Sequence, residues 1–398
     1  MSQPFDVAVI GAGAAGMMCA SVAGQRGRRV VLIDHSDKLA EKIRISGGGR
    51  CNFTNTEASA QHYLSHNPHF CRSALSRYTA QDFIALVKRY RIPFHEKHKG
   101  QLFCDRSAED IIEMLRAECD AGQVQWRRPA SVKSIVREGE SFRLSTTAGD
   151  ITVGKLVIAT GGLSIPKIGA TDFAFRIAKQ FDVPVVDTRP GLVPLTFDEA
   201  AWAPFVPMAG ISLEVDIEAG EKKSRGLFRE DLLFTHRGLS GPAVLQISSY
   251  WQQGGDISLN LLPGRDVAAE LTEGKREIRR TLGNWLSQSL PSRLSEAWLM
   301  AHDLTPDARV PDLPDKILRR LGESLNRWRI RPNGSEGYRK AEVTLGGVDT
   351  RALSQQDMSV KALPGLHFVG EAVDVTGWLV GYNFQWAWAS GVAAGLSV

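Results

Sequence analysis

The sequence predicts an α/β protein, because several apolar stretches have the order and spacing of buried strands. Phe5–Ile10 (FDVAVI) precedes a glycine-rich turn and a helical stretch, and Arg29–Ile33 (RVVLI) follows as a second strand. Two later runs, Lys155–Gly162 (KLVIATGG) and Leu366–Asp374 (LHFVGEAVD), are typical of further buried strands. A strand, a helix and a second strand in this order form a parallel pair.

The turn after the first strand, GAGAAG, has the spacing of a dinucleotide-binding loop. Gly11 permits the tight turn, Gly13 lets the backbone approach a pyrophosphate, and Gly16 lets the helix pack closely on the strand. The N–H groups at the start of the helix, at Ala14 and Ala15, then face the phosphates. This pattern predicts a Rossmann-like FAD/NAD(P)-binding domain.

An acidic residue stands where such a domain binds ribose. Asp34 lies 18 residues after Gly16, at the end of the second strand, and its carboxylate can accept hydrogen bonds from ribose hydroxyls. A carboxylate here repels a 2′-phosphate, which argues against NADP as the ligand of this loop.

Length and composition restrict the class of protein. The chain has 398 residues, of which 43% are hydrophobic and 23% charged, as in a soluble globular protein of two or three domains. The net charge of +4 suits an anionic ligand but is too small to predict nucleic acid. Five cysteines without a CxxC pair argue against a disulfide framework and a zinc site, so we expect no metal and a reducing cytoplasm.

No stretch predicts a membrane protein. The uncharged run Val7–Gly24 lacks the basic start and the cleavage site of a signal peptide, and its glycines fit a strand, a turn and a buried helix. No other segment is long and apolar enough to span a bilayer.

The glycine-rich turn, the KLVIATGG strand and the LHFVGEAVD strand together resemble the FAD domain of the glutathione-reductase-like flavoprotein superfamily. The resemblance implies that FAD is the cofactor and that the last helix points its N-terminus at the N1–C2=O edge of the flavin, where reduced flavin carries negative charge. It implies cofactor contacts at Val132, Ala159, Thr160, Gly161, Gly370, Glu371, Asp374, Gly381, Tyr382, Asn383 and Phe384. Trp386 and Trp388 in that helix are expected to be core residues.

A second glycine-rich stretch, Glu41–Asn55 (EKIRISGGGRCNFTN), follows the second strand and is expected to run alongside the pyrophosphate toward the flavin. Glycines let backbone N–H groups come close to the cofactor, where a Cβ would clash. The predicted contacts are Lys42 or Arg44, Gly47, Gly48, Gly49, Arg50 and Asn52, the basic residues offering charge to phosphate or to the flavin edge. Asn52 can instead close the turn, and Cys51 is expected to be structural rather than catalytic.

Six ordered motifs are similar to those of the BaiN/RdsA-type family of FAD-dependent oxidoreductases: GAGAAGMM, KIRISGGGRCNFTN, ATGGLSIPKIGA, LLFTHRGLSGPAVLQIS, AEVTLGGVDT and GEAVDVTGWLVGYNFQWAW. The resemblance covers the whole chain and implies an FAD domain interrupted by an insert. The predicted division is 1–190 and 338–398 for the FAD domain, 191–265 with about 325–337 for an inserted β-barrel-like domain, and 266–324 for a small helical module.

Some residues depart from the pattern of this family. Ile165 stands in place of a tyrosine, and Asp172-Phe-Ala in place of Gly-Asp-Gly. Val380 replaces the first of two glycines, and because valine has a Cβ we do not expect a positive φ there.

Three residues outside the predicted FAD contacts, or at their edge, are candidates for chemistry on the substrate. His236 precedes Ser240-Gly-Pro242, predicted to start a helix with Ser240 as N-cap and Pro242 near its first position. His236 can bind or protonate a substrate on the flavin face, or only pack a turn. Tyr382 can donate a proton or only help to position the flavin, and Arg339 can meet an anionic group or lie on the surface.

The family resemblance implies the leading functional interpretation, an NAD(P)H-driven reduction of an activated C=C or similar bond in a hydrophobic small molecule, by hydride transfer through the flavin. It implies NAD(P)H as the electron donor, and because the chain has one dinucleotide fingerprint, the donor is expected to bind transiently without a domain of its own. The alternative is an FAD-containing RNA-modifying or RNA-associated protein, and a third possibility is a flavoprotein that acts through partner contacts. The basic run GKREIRR (274–280) is interpreted as a solvated face, so nucleic acid is not expected as a partner, and the oligomeric state stays open.

Overall fold

A computed structural model describes residues 5–221 and 224–398. They form two compact units, one made of the described residues up to Arg189 together with Val343–Val398, the other of Pro190–Glu342. The predicted first motif is present as β1 (Phe5–Ile10), α1 (Ala14–Gln25) and β2 (Val30–Ile33). The two strands run parallel, with Val7 opposite Val30.

The first unit continues with short helices and strands around this motif. In chain order they are α2 (Glu41–Ile45), β3 (Thr54–Asn55), β4 (Tyr63–Leu64), α3 (Arg72–Arg77), α4 (Ala80–Arg89), β5 (Phe94–Glu96), β6 (Gln101–Cys104), α5 (Glu109–Ala121), β7 (Gln125–Arg127), β8 (Val132–Glu138), β9 (Ser141–Thr146), β10 (Ile151–Ile158), α6 (Phe173–Gln180) and β11 (Val185–Gly191), the last of which ends in the second unit.

The main sheet of the first unit has the strand order β7-β2-β1-β10-β9-β8. The strands β7, β2, β1 and β10 are parallel to one another. Strand β9 pairs antiparallel with both of its neighbours, β10 and β8. The last four residues of β1 and all four of β2 are buried, which is typical of parallel strands covered on both faces. The carboxyl ends of these strands meet at one edge, where ligands bind in open α/β sheets.

The second unit is an antiparallel sheet with helices between its strands. Its elements are β12 (Leu195–Thr196), α7 (Glu199–Trp202), β13 (Ser212–Ala219), β14 (Gly226–Thr235), β15 (Gly238–Ser240), α8 (Pro242–Ser248), β16 (Ile257–Asn260), α9 (Val267–Glu273), α10 (Leu282–Leu286), α11 (Ser292–Met300), α12 (Asp315–Asn326), β17 (Trp328–Ile330) and β18 (Gly334–Ser335). The strand order is β17-β16-β13-β14-β15-β12-β18, and α9 to α12 lie in sequence between β16 and β17. The finer division of this unit into a β-barrel-like and a helical module stays a prediction.

The chain returns to the first unit through β19 (Val343–Val348), β20 (Leu366–Phe368), β21 (Thr376–Gly377) and α13 (Tyr382–Gly395). Strand β20 adds to the main sheet parallel to β10, with Leu366 opposite Leu156, while β19 pairs with β11 and β21 with β4. Helix α13 crosses α1 in backbone contact, since a methyl group at Gly391 would lie 2.6 Å from Ala15 O. As expected, Trp386 and Trp388 of this helix are core residues, at 1% and 0% exposed.

One local prediction is wrong. Ser240 does not cap a helix, because it is the last residue of β15, opposite Leu233 of β14, and Gly241 is the N-cap of α8. No helix in the described part of the chain is long and apolar enough to cross a membrane.

Candidate cofactor site

The first glycine loop is held by contacts within the protein. The N–H of Gly11 donates to Ile33 O (2.8 Å), which ties the end of β1 to the end of β2. Gly11 has a φ of 104°, and a Cβ there would lie 2.5 Å from Ala159 O. A Cβ at Gly16 would lie 1.8 Å from Gly11 O, so the helix can approach the strand this closely only with glycine. The roles in backbone geometry expected of Gly11 and Gly16 therefore have a direct structural basis.

The start of α1 is open for a ligand. Its first intrahelical hydrogen bond runs from Met17 N–H to Gly13 O (3.0 Å), so the N–H groups of Ala14, Ala15 and Gly16 have no helical acceptor. A methyl group at Gly13 would meet no protein atom within 4 Å. The end of this 12-residue helix therefore presents positive dipole and unpaired donors, the arrangement that binds phosphate.

Asp34 lies beside this loop and orders it. Its Oδ2 accepts a hydrogen bond from Ala12 N (2.6 Å), and its Oδ1 accepts one from Ser36 N (2.7 Å). A carboxylate has about four lone-pair sites, so two remain for ribose hydroxyls. The backbone oxygen of Asp34 accepts from Ala130 N (2.7 Å), which brings the segment leading to Val132 next to the same strand end.

The second glycine stretch forms a tight turn with left-handed backbone. Ser46–Gly49 follows α2 directly, and Gly47, Gly48 and Gly49 have φ values of 57°, 66° and 86°. A Cβ at Gly47 would lie 2.9 Å from the Phe103 ring, whereas a Cβ at Gly48 or Gly49 would meet no protein atom within 4 Å. Among these three glycines a clash of a Cβ with described protein atoms exists at Gly47 only, and the expected clash with the cofactor stays a prediction. At Gly48 and Gly49, the backbone favours glycine because φ is positive.

Cys51, next to this turn, is unsuited to catalysis. It is fully buried, and burial together with the neighbouring Cys104 raises the pKa of its thiol well above the usual range. A nucleophilic cysteine is normally accessible and has a lowered pKa. The thiol lies behind the turn, where it packs in the core of the first unit.

The basic residues of the second stretch have different surroundings. Lys42 Nζ forms an ion pair with Glu371 and donates to Ser164 Oγ (2.7 Å). Arg44 forms ion pairs with Glu41 and Glu109. Arg50 is exposed, and its guanidinium has no hydrogen-bonded or ion-paired partner among the described residues. Of these three cations, Arg50 is the one whose charge is left for an anionic ligand.

Glu371 is the centre of a polar network that joins distant parts of the chain. Its Oε1 accepts hydrogen bonds from Ser164 Oγ (2.8 Å) and Thr344 N (2.9 Å). Its other oxygen is paired with Lys42. Ser164 and Thr344 were not among the predicted residues, and no spacing could reveal them, because the network spans 329 residues of sequence.

The end of β10 carries an unpaired polar group. Thr160 Oγ1 is buried and has no hydrogen-bond partner among the described residues. The following Gly161 has a φ of 72°, and a Cβ there would meet no protein atom within 4 Å. A Cβ at Gly370 would touch the Ala15 side chain at 2.9 Å, so the Gly370–Glu371 turn lies against the start of α1.

The start of α13 is fixed by its own side chains. Asn383 Nδ2 donates to Gly377 O (2.9 Å) and Trp378 O (3.1 Å), and its Oδ1 accepts from Gly377 N (2.8 Å). The Asn383 amide therefore shapes the loop, which leaves the backbone N–H groups of the first helical turn as the candidate flavin contacts. Gly381 is the N-cap and packs on β3, where a Cβ would lie 2.4 Å from Thr54 O.

Val380 corrects an expectation. Its φ is 68°, although a positive φ was not expected for valine. The loop is held on both sides, by the Asn383 side chain before it and by the contact of Gly381 with Thr54 after it. These contacts fix the path of the backbone, so Val380 adopts the left-handed conformation at a cost of about 1–3 kcal/mol.

Aromatic and histidine side chains surround Tyr382. This residue is buried, its ring centroid lies 4.9 Å from that of His62, and its backbone oxygen accepts from Tyr63 Oη (2.9 Å). Burial lowers the pKa of His62 and raises that of Tyr63.

The buried Asp374 accepts hydrogen bonds from both His66 N (2.9 Å) and His66 Nδ1 (3.0 Å). The sequence did not single out His62 or His66, since neither stands in a recognisable motif.

Two predicted substrate residues belong to the second unit. His236 is exposed in the turn between β14 and β15, six residues before the start of α8. Arg339 is also exposed. Their roles, like those of all predicted site residues, stay predictions.

The donors of the first unit fit FAD. Unpaired N–H groups at α1 and open glycine positions would hold the pyrophosphate, and Asp34 would hold a ribose. The buried hydroxyl of Thr160, which has no partner among the described residues, would be available to the cofactor. The start of α13 offers a positive helix end of the kind that favours reduced flavin. When bound, FAD would supply hydride-transfer chemistry at this edge of the sheet.

The family model described as "HI0933-like protein Rossmann domain" matches residues 5–397. The chain belongs to this family. The match confirms the predicted family and the predicted fold class. It also confirms the predicted class of enzyme, an FAD-dependent oxidoreductase.

Three relatives cover almost the whole of this HI0933-like protein. Ribosomal RNA dihydrouridine synthase of Escherichia coli (strain K12) is 50% identical over 389 residues, 98% of this chain and 96% of the relative. The protein of the same name from Haemophilus influenzae is 45% identical over 403 residues, 100% and 99% of the two chains. The 3-dehydro-bile acid delta(4,6)-reductase of Clostridium scindens is 24% identical over 406 residues, 98% of each chain.

These relatives overturn the predicted substrate and partner. The two at 50% and 45% identity are named for a reaction on ribosomal RNA, whereas the one named for a small molecule is only 24% identical. The prediction of a hydrophobic small-molecule substrate is therefore wrong, and so is the prediction that nucleic acid is an unlikely partner. The net charge of +4 was a poor guide, because a sum over the whole chain hides how charge is distributed on the surface.

Proposed function

We propose that this protein reduces uridine in ribosomal RNA to dihydrouridine, with FAD as its bound cofactor and NAD(P)H as the electron donor. The observation that carries the proposal is the 50% identity to a ribosomal RNA dihydrouridine synthase, which extends over 98% of this chain and 96% of that relative. The match extends over both units of the chain.

The reaction suits a flavoenzyme. The C5=C6 bond of uracil is conjugated with a carbonyl, so it accepts a hydride at one carbon and a proton at the other. The balanced reaction consumes uridine, NAD(P)H and one proton, and it yields dihydrouridine and NAD(P)⁺. Bound FAD would supply the hydride to the base.

The residues of the chain have to hold the cofactor, admit the base and deliver the proton. The starts of α1 and α13 would bind and orient the cofactor, and Asp34 fixes the first loop through Ala12 N (2.6 Å). A base inside an RNA helix must leave its stack to reach a flavin, so we expect an unpaired or extruded uridine as the substrate. For the proton, Tyr382 and His236 are the two candidates, the first buried at the start of α13 and the second exposed in the second unit.

We also propose a cytoplasmic location, where ribosomes are assembled. All five cysteines are free and buried, which suits a reducing compartment.

The direct test uses ribosomal RNA purified from cells that lack the protein. We incubate this RNA with the FAD-loaded enzyme and NADH or NADPH, digest it to nucleosides and quantify dihydrouridine by mass spectrometry. We expect dihydrouridine to appear only with enzyme and a nicotinamide donor. Its absence with both donors, from enzyme that carries FAD, would contradict the proposed function.

The donor is tested separately by anaerobic mixing. NADH or NADPH should bleach the visible absorbance of the flavin within the turnover time of the enzyme. If neither does so while dithionite does, NAD(P)H is not the donor. For the proton donor, Tyr382→Phe and His236→Gln should keep this bleaching, and the variant that has lost the acid should lose dihydrouridine formation at least tenfold.

A further inference from the structure

A cluster of basic side chains lies on two segments of the second unit that are brought together by an ion pair. One segment is the turn 275–280 after α9, and the other is the first part of α12, residues 315–320. Lys275 Nζ contacts Asp315 Oδ1 at 2.8 Å. This bridge places the basic residues of the turn next to those of the helix, and we call the two segments together the basic surface.

The packing of α9 and α12 makes this arrangement firm. A methyl group at Gly322 would lie 2.3 Å from Ala268 N, so the two helices touch through their backbones. The buried side of α12 is apolar and includes Leu318 and Leu321, at 0% and 1% exposed. Lys316, Arg319 and Arg320 are exposed, because residues three and four apart share the outer face of the helix.

The charge of the basic surface exceeds that of the whole protein. Its twelve residues include seven basic and two acidic ones, a net charge of +5, while the 398 residues together carry +4. The seven are Lys275, Arg276, Arg279, Arg280, Lys316, Arg319 and Arg320. Asp315 is already paired with Lys275. The Lys275 ammonium, and to a smaller extent Arg319, holds the pKa of the Asp315 carboxyl below its usual value.

Most of these cations have no anionic partner. Among the described residues, Arg276, Arg279, Arg280, Lys316 and Arg320 form no ion pair within 4.0 Å, although Glu277 and Glu323 are near in sequence. Two unneutralised segments held side by side repel each other, and an anion that bridges them removes this cost. Five of the seven are arginines, whose planar fork binds phosphate oxygens in pairs.

The rest of the surface favours a polyanion over a protein or a membrane. The exposed large hydrophobic residues of the described chain are Ile45, Val136, Val185, Val206, Leu227, Met300 and Leu396, and none lies in either segment. A protein interface normally has an apolar centre, and a membrane-bound surface normally inserts apolar side chains.

We infer that the basic surface binds the sugar–phosphate backbone of ribosomal RNA. This inference rests on the proposed function and adds to it a second contact, remote in sequence from the cofactor residues, that supplies affinity without reading the base. Phosphate contacts of this kind fix the position of an RNA and make binding depend steeply on salt.

The test compares two double charge reversals. Arg279→Glu with Arg320→Glu removes one cation from each segment of the basic surface. Lys88→Glu with Lys179→Glu is the matched control, since both lysines are exposed on helices of the first unit, α4 and α6, and it changes the net charge equally. Binding of ribosomal RNA is measured by fluorescence anisotropy over a range of salt concentrations.

We expect the first variant to bind at least tenfold more weakly at about 0.15 M salt, with the slope of log K against log[salt] smaller by about two. The control should change affinity less than threefold. Both variants should retain FAD and its reduction by NAD(P)H, which shows that they are folded. Equal affinity and slope for the first variant and the unaltered protein would overturn the inference. Binding to anionic lipid vesicles is measured for the same proteins. A first variant that binds RNA normally and has lost only its binding to these vesicles would also overturn the inference.

The same proteins separate this inference from the proposed function. If the unaltered protein forms dihydrouridine and the Arg279/Arg320 variant binds RNA normally, the inference fails and the function stands. If the unaltered protein binds RNA through these residues but forms no dihydrouridine, the function fails and the RNA surface stands.

Discussion

The two glycine-rich segments of the first unit look alike in sequence, but glycine is required in them for different reasons. In the first, Gly11 and Gly16 are required by the protein itself, since a Cβ at either would come within 2.5 Å or less of a backbone oxygen. In the second, Gly48 and Gly49 face open space and are required by their positive φ. In the first segment, glycine is therefore needed for the close packing of α1 on β1. In the second, Gly48 and Gly49 leave space that a ligand can occupy.

The largest effect is expected from Gly16→Val, which disrupts the close packing of α1 on β1. Its Cβ would lie 1.8 Å from Gly11 O, so α1 has to move away from β1. We expect loss of soluble, folded protein, with a destabilisation above about 4 kcal/mol. Circular dichroism and thermal unfolding measure this. A folded variant with normal FAD content would contradict our account of Gly16.

Gly48→Val should instead leave the fold and remove the cofactor. The side chain meets no protein atom, but it adds strain of about 1–3 kcal/mol at a φ of 66° and covers N–H groups that we expect FAD to approach. FAD affinity should fall at least a hundredfold, as measured by fluorescence titration of the apoprotein.

The control for Gly48→Val is Gly139→Val. Gly139 has a φ of 63° and lies in the turn between β8 and β9, and a Cβ there would also meet no protein atom within 4 Å. Both variants carry the same backbone strain, so only a ligand can separate them. Equal loss of FAD in the two would mean that strain, and not a cofactor contact, explains the effect at Gly48.

A smaller effect is expected where the first segment meets its ligand. Asp34→Ala removes the acceptor of Ala12 N–H (2.6 Å) and of Ser36 N–H (2.7 Å), and with it the proposed ribose contact. We expect FAD to bind about tenfold more weakly, which is about 1.4 kcal/mol, and a loss of stability of about 1–3 kcal/mol. Asp37→Ala, on the exposed part of the same loop, should change neither quantity measurably.

The smallest effect is expected from Cys51→Ser, beside the second segment. The residue is fully buried and its thiol pKa is raised by burial, so we expect it to take no part in the proposed reaction. We expect FAD content and dihydrouridine formation within twofold of the unaltered protein, and about 1–2 kcal/mol of lost stability from a buried hydroxyl. A tenfold loss of turnover in folded, FAD-loaded protein would contradict this expectation and identify the thiol as a catalytic group.

Much of the first unit was predictable because its information is local. The elements β1, α1 and β2 were predicted from continuous apolar runs, the spacing of the glycines and one acidic residue, all within the first 34 positions. The first strand was predicted to the residue, and β2 starts one residue later than expected. Parallel strands buried on both faces need such runs, so the signal survives without knowledge of the partners.

Predictions that depended on a neighbour in space were less reliable. Ser240 has the residue type of an N-cap, but pairing with Leu233 in the sheet takes precedence over that preference. Val380 has a positive φ because Asn383 and Thr54 fix the loop around it. In both cases a tertiary contact outweighs a local preference, worth about 1 kcal/mol for the N-cap and about 1–3 kcal/mol for the avoidance of a positive φ.

The sequence by itself determined the βαβ unit, the glycine loop, the acid at its strand end and the family, because each is written in residues close along the chain. Only the tertiary structure joined Lys42, Ser164 and Thr344 around Glu371, and only it set the turn 275–280 beside the start of α12. Such pairings join residues up to 329 positions apart, and they follow from how helices and strands pack rather than from spacing. The same reason explains the wrong partner, since net charge is a property of composition, whereas a charged surface exists only once the chain is folded.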